Sequence, residues 1–409
     1  MKPADPQAAA RGQLTALDGL RGVAVLCVIL YHTGQLRFGW LGVPLFFVLS
    51  GHFITRTLHG RRELTRGRRA RDFFRNRALR LAPLYLGICA AVTVLAAAGY
   101  HRRDIVDDLP YLWTWTFDLR TLGPGWAPNS VPIYDQFWSL CVEVQLYALW
   151  AALALLLPRR WFVRVVVALA VTGPLLRGLL YLLLEAGGEQ AFLRPFTLAQ
   201  SPVTYVEAFA VGACTALPEF RDRLAWAARG AVVLCAAVTA ALAVGQGLRA
   251  DLGYPITYPE LHGWLWQYTV VALFFGALVH WASRSGAFAR LLSWRPLVRA
   301  GVISYGMYAL HVAVLGQLSP HFTHAPSGWS GSDLGYAALV LLITLVTAEL
   351  SYRFLETPFL RRKRGSLTQR LAVPDGAFEE AGPNQKRTHQ KRTNRKQKDR
   401  EEIGVPAHE

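Results

Sequence analysis

The chain has 409 residues, of which 53% are hydrophobic and only 17% charged, against roughly 25% charged in a soluble domain. Its net charge of +17 resembles a nucleic-acid signal, but no folded module gathers the cations, so nucleic acid is not an expected partner. The apolar residues fall in runs near the roughly 20 residues that a bilayer requires, which excludes an ordinary water-soluble globule.

About ten such runs follow one another, at 15–35, 40–58, 80–99, 138–157, 161–184, 202–217, 230–247, 263–282, 300–318 and 334–355. They predict an all-α integral membrane protein, a bundle of about ten transmembrane helices spanning 14–360. A polar cytoplasmic N-terminus at 1–13 precedes it, with no cleavable signal, and a disordered basic cytoplasmic tail at 361–409 follows it. With the N-terminus inside, 34 of the 44 Lys and Arg residues are cytoplasmic, six are external and four lie within spans. This positive-inside pattern predicts a multi-pass protein of the inner (cytoplasmic) membrane with both termini in the cytoplasm. Cys27, Cys89, Cys141, Cys214 and Cys235 all fall in apolar runs without metal-like spacing and read as small core residues.

The first run contains Leu17-Asp18-Gly19-Leu20-Arg21-Gly22 and, eleven residues beyond the arginine, His32. Eleven residues return a helix to within about 20° of the same face, so Arg21 and His32 share one side, roughly 16 Å apart along the axis. An ionisable pair at membrane depth is costly and marks a functional site by default. A snorkelling arginine and a histidine bonded to a neighbouring helix would produce the same residues, and the shared face is what favours a pair.

Between the second and third runs, Arg56–Arg80 reads as a cytoplasmic loop with ten arginines, suited to anionic lipid heads or to a polyanionic cytosolic ligand. At its end Arg77 and Arg80 share a helical face. The outer segment 100–137 carries Tyr111, Trp113, Trp115, Phe117, Trp126 and Tyr134 and leads into Trp138. Most read as interfacial belt residues, and a minority as a stacking platform for a ring-shaped acceptor. The turns Gly123-Pro124-Gly125 and Ala127-Pro128-Asn129 predict an ordered loop there rather than a helix or strand.

Glu143, with Gln145 and Tyr147 close by, is read as the one acidic residue deep within a span, so it must be protonated, paired or facing water. Tyr308 and His311 share a face of the ninth run, and Arg353 with Glu356 forms a helix-end ion pair closing the tenth. The tail holds a small polar repeat, Gln385-Lys386-Arg387-Thr388 and Gln390-Lys391-Arg392-Thr393. No metal-ligand cluster or glycine-rich phosphate loop occurs, so no bound cofactor or metal is expected.

Taken in order, Leu17–Gly22 with His32, Phe46-Phe47-Val48-Leu49-Ser50-Gly51, Arg75–Tyr85, Trp138–Tyr147, Ile303–His311 and Tyr352–Phe359 resemble the membrane-bound acyltransferase 3 family of bacterial O-acyltransferases. The resemblance covers residues 14 to about 360. It implies acyl transfer from acyl-CoA, a co-substrate rather than a bound cofactor, to a hydroxyl of a carbohydrate or glycosylated acceptor. It makes Arg21 and His32 essential, Arg77, Arg80 and Glu143 functional, and His311 a further candidate. Val144 stands where a second glutamate is usual, and His52 where an apolar or aromatic residue is commoner. The chain is also expected to lack the hydrolase-like domain that some relatives append.

Acyl transfer supplies roles for these residues. Neutral histidine removes a hydroxyl proton well, so His32 is the expected general base. Arg21 orients donor or acceptor, Arg77 and Arg80 bind the coenzyme phosphates, and Glu143 polarises the histidine or holds the acceptor. Trp138, Tyr308 and His311 are the expected substrate contacts. The competing reading is a transporter or flippase for a glycan-related substrate, in which buried charges mark the substrate path.

Overall fold

The computed structural model describes residues 6–60, 64–123, 131, 133–189, 193–220, 223, 227–237, 263–284, 286–319 and 330–362, with side chains from Gln13 onward. No strand occurs among them. In chain order the helices are α1 (Pro6–His32), α2 (Gly42–His59), α3 (Arg66–Ala97), α4 (Arg102–Trp113), α5 (Phe137–Leu156), α6 (Arg159–Val171), α7 (Gly173–Ala186), α8 (Arg194–Gln200) and α9 (Pro202–Ala216). After these come α10 (Ala227–Ala237), α11 (Gly263–Ala282), α12 (Ala287–Leu292), α13 (Arg295–Val302), α14 (Ser304–Leu318), α15 (Gly331–Leu350) and α16 (Thr357–Leu360). Gly12–Arg364 forms one compact unit. Residues 363–409, where a disordered tail is expected, lie outside the described residues.

Six helical segments among the described residues are long and apolar enough to cross a membrane: Gln13–His32, Gly39–His59, Arg66–Ala97, Phe137–Leu156, Gly263–Ala282 and Gly331–Leu360. Two more spans result if bent pairs are joined, α6 with α7 at 63° and α13 with α14 at 76°. Over the described residues the protein is thus an all-helical multi-pass membrane protein with six to eight candidate spans, and those residues do not bear out the count of about ten. The sixth expected run, 202–217, folds as α9, whose 15 residues are too short to span alone. Of the seventh, only residues 230–237 are described. The first bend has a local cause: Pro174, in the first turn of α7, has no N–H for the carbonyl four residues back and its ring crowds that carbonyl, so α6 cannot run on as one straight helix.

Glycines set the closest crossings. A Cβ on Gly51 would lie 2.0 Å from the Phe209 carbonyl oxygen, and one on Gly212 1.9 Å from that of Val48. The backbones of α2 and α9 therefore touch, as small residues permit inside membranes. Gly22 and Gly301 do the same for α1 and α13, at 2.2 Å from Leu297 O and 1.7 Å from Asp18 O. Side chains complete the frame. Trp150 Nε1 donates to Thr55 Oγ1 (2.9 Å), the Tyr305 hydroxyl to Leu81 O (2.7 Å), and Gln136 Nε2 to Ala309 O (2.8 Å).

Two expected loops are largely helical. The ten-arginine segment runs into α3, which begins at Arg66 and reaches 32 residues, about 48 Å. That exceeds the roughly 30 Å of hydrocarbon, so the basic N-terminal part of α3 extends the span instead of linking two. The outer segment contains α4 and a 3₁₀ helix, Phe117–Leu122, and residues 124–130 and 132, with most of the expected turns, lie outside the described residues. Ile105, Asp108 and Leu112 are buried along one face of α4, a helical stripe of only three residues. Trp115 stacks on Tyr85 at 3.5 Å, and Asp108 receives Arg120 Nε (2.7 Å) and the Tyr134 hydroxyl (2.9 Å), so these aromatics serve packing.

Candidate active site

A cavity opens between α1, α2, α3, α5 and α14. Arg21, Arg77, Arg80 and Glu143 line it, with Ser50, Ser139, Tyr147, Tyr305 and Tyr308 and an apolar wall that includes Phe46, Phe47, Leu81 and Leu140. Four of the residues expected from the sequence to act together, on three different helices, therefore meet in one space.

The charges there are unbalanced. Arg21 has its guanidinium 4.5 Å above the Phe53 ring and, among the described residues, only Asp18 as an ion-pair partner, at 3.7 Å. Arg77 sits 5.2 Å from the Tyr147 ring centre. Glu143 Oε1 accepts from the Ser50 hydroxyl (2.6 Å) and from the Tyr147 hydroxyl. One carboxylate, held by two hydroxyls, faces three guanidiniums, so the cavity is built to take an anion with several oxygen acceptors. Ser50, Ser139 and Tyr305 were not singled out as site residues in the sequence. Ser50, next to Gly51 and one turn after Phe46 and Phe47, carried the available signal.

His32 does not line this cavity. It ends α1 with an exposed side chain, and its Nδ1 lies 2.9 Å from Val28 O and 3.3 Å from Nε2 of the buried His311. His311 Nδ1 lies 2.7 Å from Tyr308 O. Tyr308 stands between the two places: it lines the cavity, its ring lies 5.6 Å from that of His311, and its hydroxyl bonds Ser139 Oγ at 2.6 Å. Ser139 in turn donates to Gln136 O at 2.9 Å. Arginines and histidines thus occupy two levels of the bundle separated by a hydroxyl-bonded layer.

Other expected site residues go elsewhere. Trp138 stacks on Tyr205 (5.7 Å) and does not line the cavity. Gln145, on another face of α5, donates to Asp118 Oδ1 (2.8 Å). His52 bonds Thr215 Oγ1 (2.8 Å) toward α9. Arg353 pairs with Glu349 (2.5 Å) instead of Glu356, which is buried at a π-helical turn, Ser351–Glu356. Glu143 is also not alone at depth. Glu207 on α9 is 1% exposed and bonds Arg177 Nη1 at 2.7 Å, a pair that the sequence reading did not connect. Outside the spans, burial raises the carboxyl of Asp118 to about 6, and burial together with Asp108 does the same for Asp135. Among the described residues no three His, Cys, Asp or Glu side chains are placed to hold a metal ion.

A helical membrane bundle with an arginine-lined cavity and a histidine dyad one level away defines the class of protein. Residues 14–352 match the model of the acyltransferase 3 family, described as an acyltransferase domain, and the chain belongs to that family. It is 28% identical to YrhL of Bacillus subtilis over 393 residues, covering 88% of this chain and 57% of the relative. It is 27% identical to the peptidoglycan O-acetyltransferase OatA of Listeria monocytogenes (87% and 57% covered) and 26% identical to the O-acetyltransferase OatA of Staphylococcus aureus (88% and 61%). The chain therefore spans about three fifths of the length of the curated relatives it matches. No solved structure matches it.

Proposed function

We propose that this protein is an O-acyltransferase of the cytoplasmic membrane, with both termini inside, that moves an acyl group from cytosolic acyl-CoA to a hydroxyl of a carbohydrate-type acceptor. The relatives named as O-acetyltransferases point to acetyl as the group, and the Listeria relative to a peptidoglycan sugar as the acceptor. The observation that carries the reading is the cavity in which Arg21, Arg77 and Arg80 face the single carboxylate of Glu143. Forked guanidiniums match phosphate oxygens, which an acyl-CoA head supplies.

In the reaction the acceptor hydroxyl oxygen bonds to the thioester carbonyl carbon while His32 takes its proton. The carbon–sulfur bond then breaks, and the coenzyme thiolate leaves with that proton from the imidazolium. From Arg21 to His32 is roughly 16 Å along α1, a distance suited to a donor with an anionic head and a long arm. The Tyr308–Ser139 contact crosses that route and has to part for the arm to pass.

The test is transfer of radiolabelled acetyl from acetyl-CoA to peptidoglycan fragments by the purified chain in proteoliposomes. His32→Gln should lower kcat by about 10²–10⁴-fold. Undiminished transfer by that variant, or movement of a glycan across the vesicle without any acyl donor, would remove the reading.

A further inference from the structure

His32 and His311 come from helices far apart in the chain, α1 and α14, and their rings meet edge to face at 5.0 Å. The hydrogen-bond chain through them can be followed from one fixed end. The Tyr308 carbonyl can only accept, so His311 Nδ1, 2.7 Å away, carries a hydrogen and donates it. In the neutral ring His311 Nε2 then holds a lone pair. His32 Nδ1 faces two acceptors, that lone pair at 3.3 Å and the Val28 carbonyl at 2.9 Å. A nitrogen between two acceptors must be the protonated one, its hydrogen shared between them.

We propose that His311 is a positioning residue: with the Val28 carbonyl it holds the His32 proton on Nδ1 and leaves Nε2 as the basic nitrogen. His311 is fully buried, whereas His32 is exposed, and with Nδ1 engaged inward the free edge of the ring faces outward. The acceptor hydroxyl meets His32 at that edge. When His32 takes the proton its Nδ1–H becomes a charged donor, and both inward acceptors then stabilise the imidazolium. His311 thereby does for His32 what a carboxylate does in a hydrolase triad, but as a neutral group. Its catalytic consequence rests on the acyltransferase reading; the proton's location does not.

The first measurement is nitrogen-15 NMR of the full chain, labelled at histidine and held in lipid nanodiscs, with His32 identified by the signal lost in His32→Gln. Neutral His32 should show a protonated Nδ1 and a bare Nε2. A proton on Nε2 would overturn the assignment whether or not the protein transfers acyl groups. The second is kinetic, at saturating acetyl-CoA. His311→Leu should lower kcat about tenfold or more at unchanged KM for the donor, while His311→Gln, whose amide oxygen can accept from Nδ1, should recover most of it. Parental kcat in His311→Leu, or an equal loss in both variants, would refute the positioning role.

Discussion

Two arginine–glutamate groupings sit in this bundle, one buried and one lining the cavity, and they are finished to different degrees. Arg177 is saturated. Its Nη1 bonds Glu207 at 2.7 Å, its Nη2 bonds Leu265 O at 2.8 Å and Thr269 Oγ1 at 2.7 Å, and its Nε reaches the same carbonyl at 3.1 Å. Thr269 also donates to Glu207 Oε2 at 3.1 Å, so α7, α9 and α11 all meet at the pair. In the cavity, by contrast, Arg21 has Asp18 at 3.7 Å and an aromatic face, and Glu143 is held by hydroxyls. A charge whose partners are all supplied by the fold belongs to the fold, whereas one left short of partners inside a cavity is waiting for a ligand.

The largest effect should fall on the saturated group. Arg177→Ala strands Glu207 without its cation between α7, α9 and α11, which typically costs about 3–5 kcal/mol. It should show as a collapse of the monodisperse peak in detergent size-exclusion. The paired change Arg177→Met with Glu207→Leu should restore that peak, since Glu207 Oε1 already has no hydrogen bond among the described residues. Arg21→Ala should keep the parent's peak and lose activity. The contrast fails if Arg21→Ala unfolds as readily as Arg177→Ala.

Within the cavity, Glu143→Gln tests the charge with the shape kept. The amide oxygen still accepts from Ser50 and Tyr147, so folding should survive, while one negative charge facing three arginines is lost. Activity per folded molecule should drop about 10–100-fold if the carboxylate serves the chemistry. Near-parental turnover would make Glu143 a packing residue. Arg77→Ala and Arg80→Ala should be milder, raising the KM for acyl-CoA about tenfold each at little change in kcat. They remove phosphate contacts made equally in ground and transition states. A fall in kcat at constant KM would move them from donor binding to catalysis.

The same contrast marks what the sequence could and could not reveal. Arg21 and His32 were legible because both lie on α1, where periodicity fixes the face. Arg77, Arg80 and Glu143 were legible as candidates because charge in an apolar context is conspicuous wherever it sits. Who pairs with whom was not legible. Arg177 finds Glu207 30 residues away, on another helix that only the fold brings alongside. Neither residue's own segment carries that information. Arg353 takes Glu349 over Glu356 because the π-helical turn at 351–356 shifts the register on which a three-residue spacing depends. The helix α4 was hidden by its length, since three buried positions separated by charges show little period.

The smallest effect concerns Asp118, outside the spans. Its Oδ1 accepts from Gln145, its Oδ2 is buried without a hydrogen bond among the described residues, and burial raises its carboxyl to about 6 from 3.8. The folded state therefore binds the proton more tightly than the unfolded chain. The resulting stabilisation is fully present below about pH 4 and is lost as pH rises through about 6. Asp135, raised to about 6 as well, adds in the same direction. The melting temperature in detergent should thus be higher at pH 5 than at pH 7, by about 2–4 °C for each kcal/mol involved. Asp118→Asn keeps the acceptor for Gln145 and mimics the protonated acid, so it should match the parent below about pH 4 and exceed it increasingly from there to pH 7. Arg77→Ala, which touches only the cavity, should leave the slope unchanged. If Asp118→Asn melted with the parent's full pH dependence, the titration would belong to Asp135 or to another group.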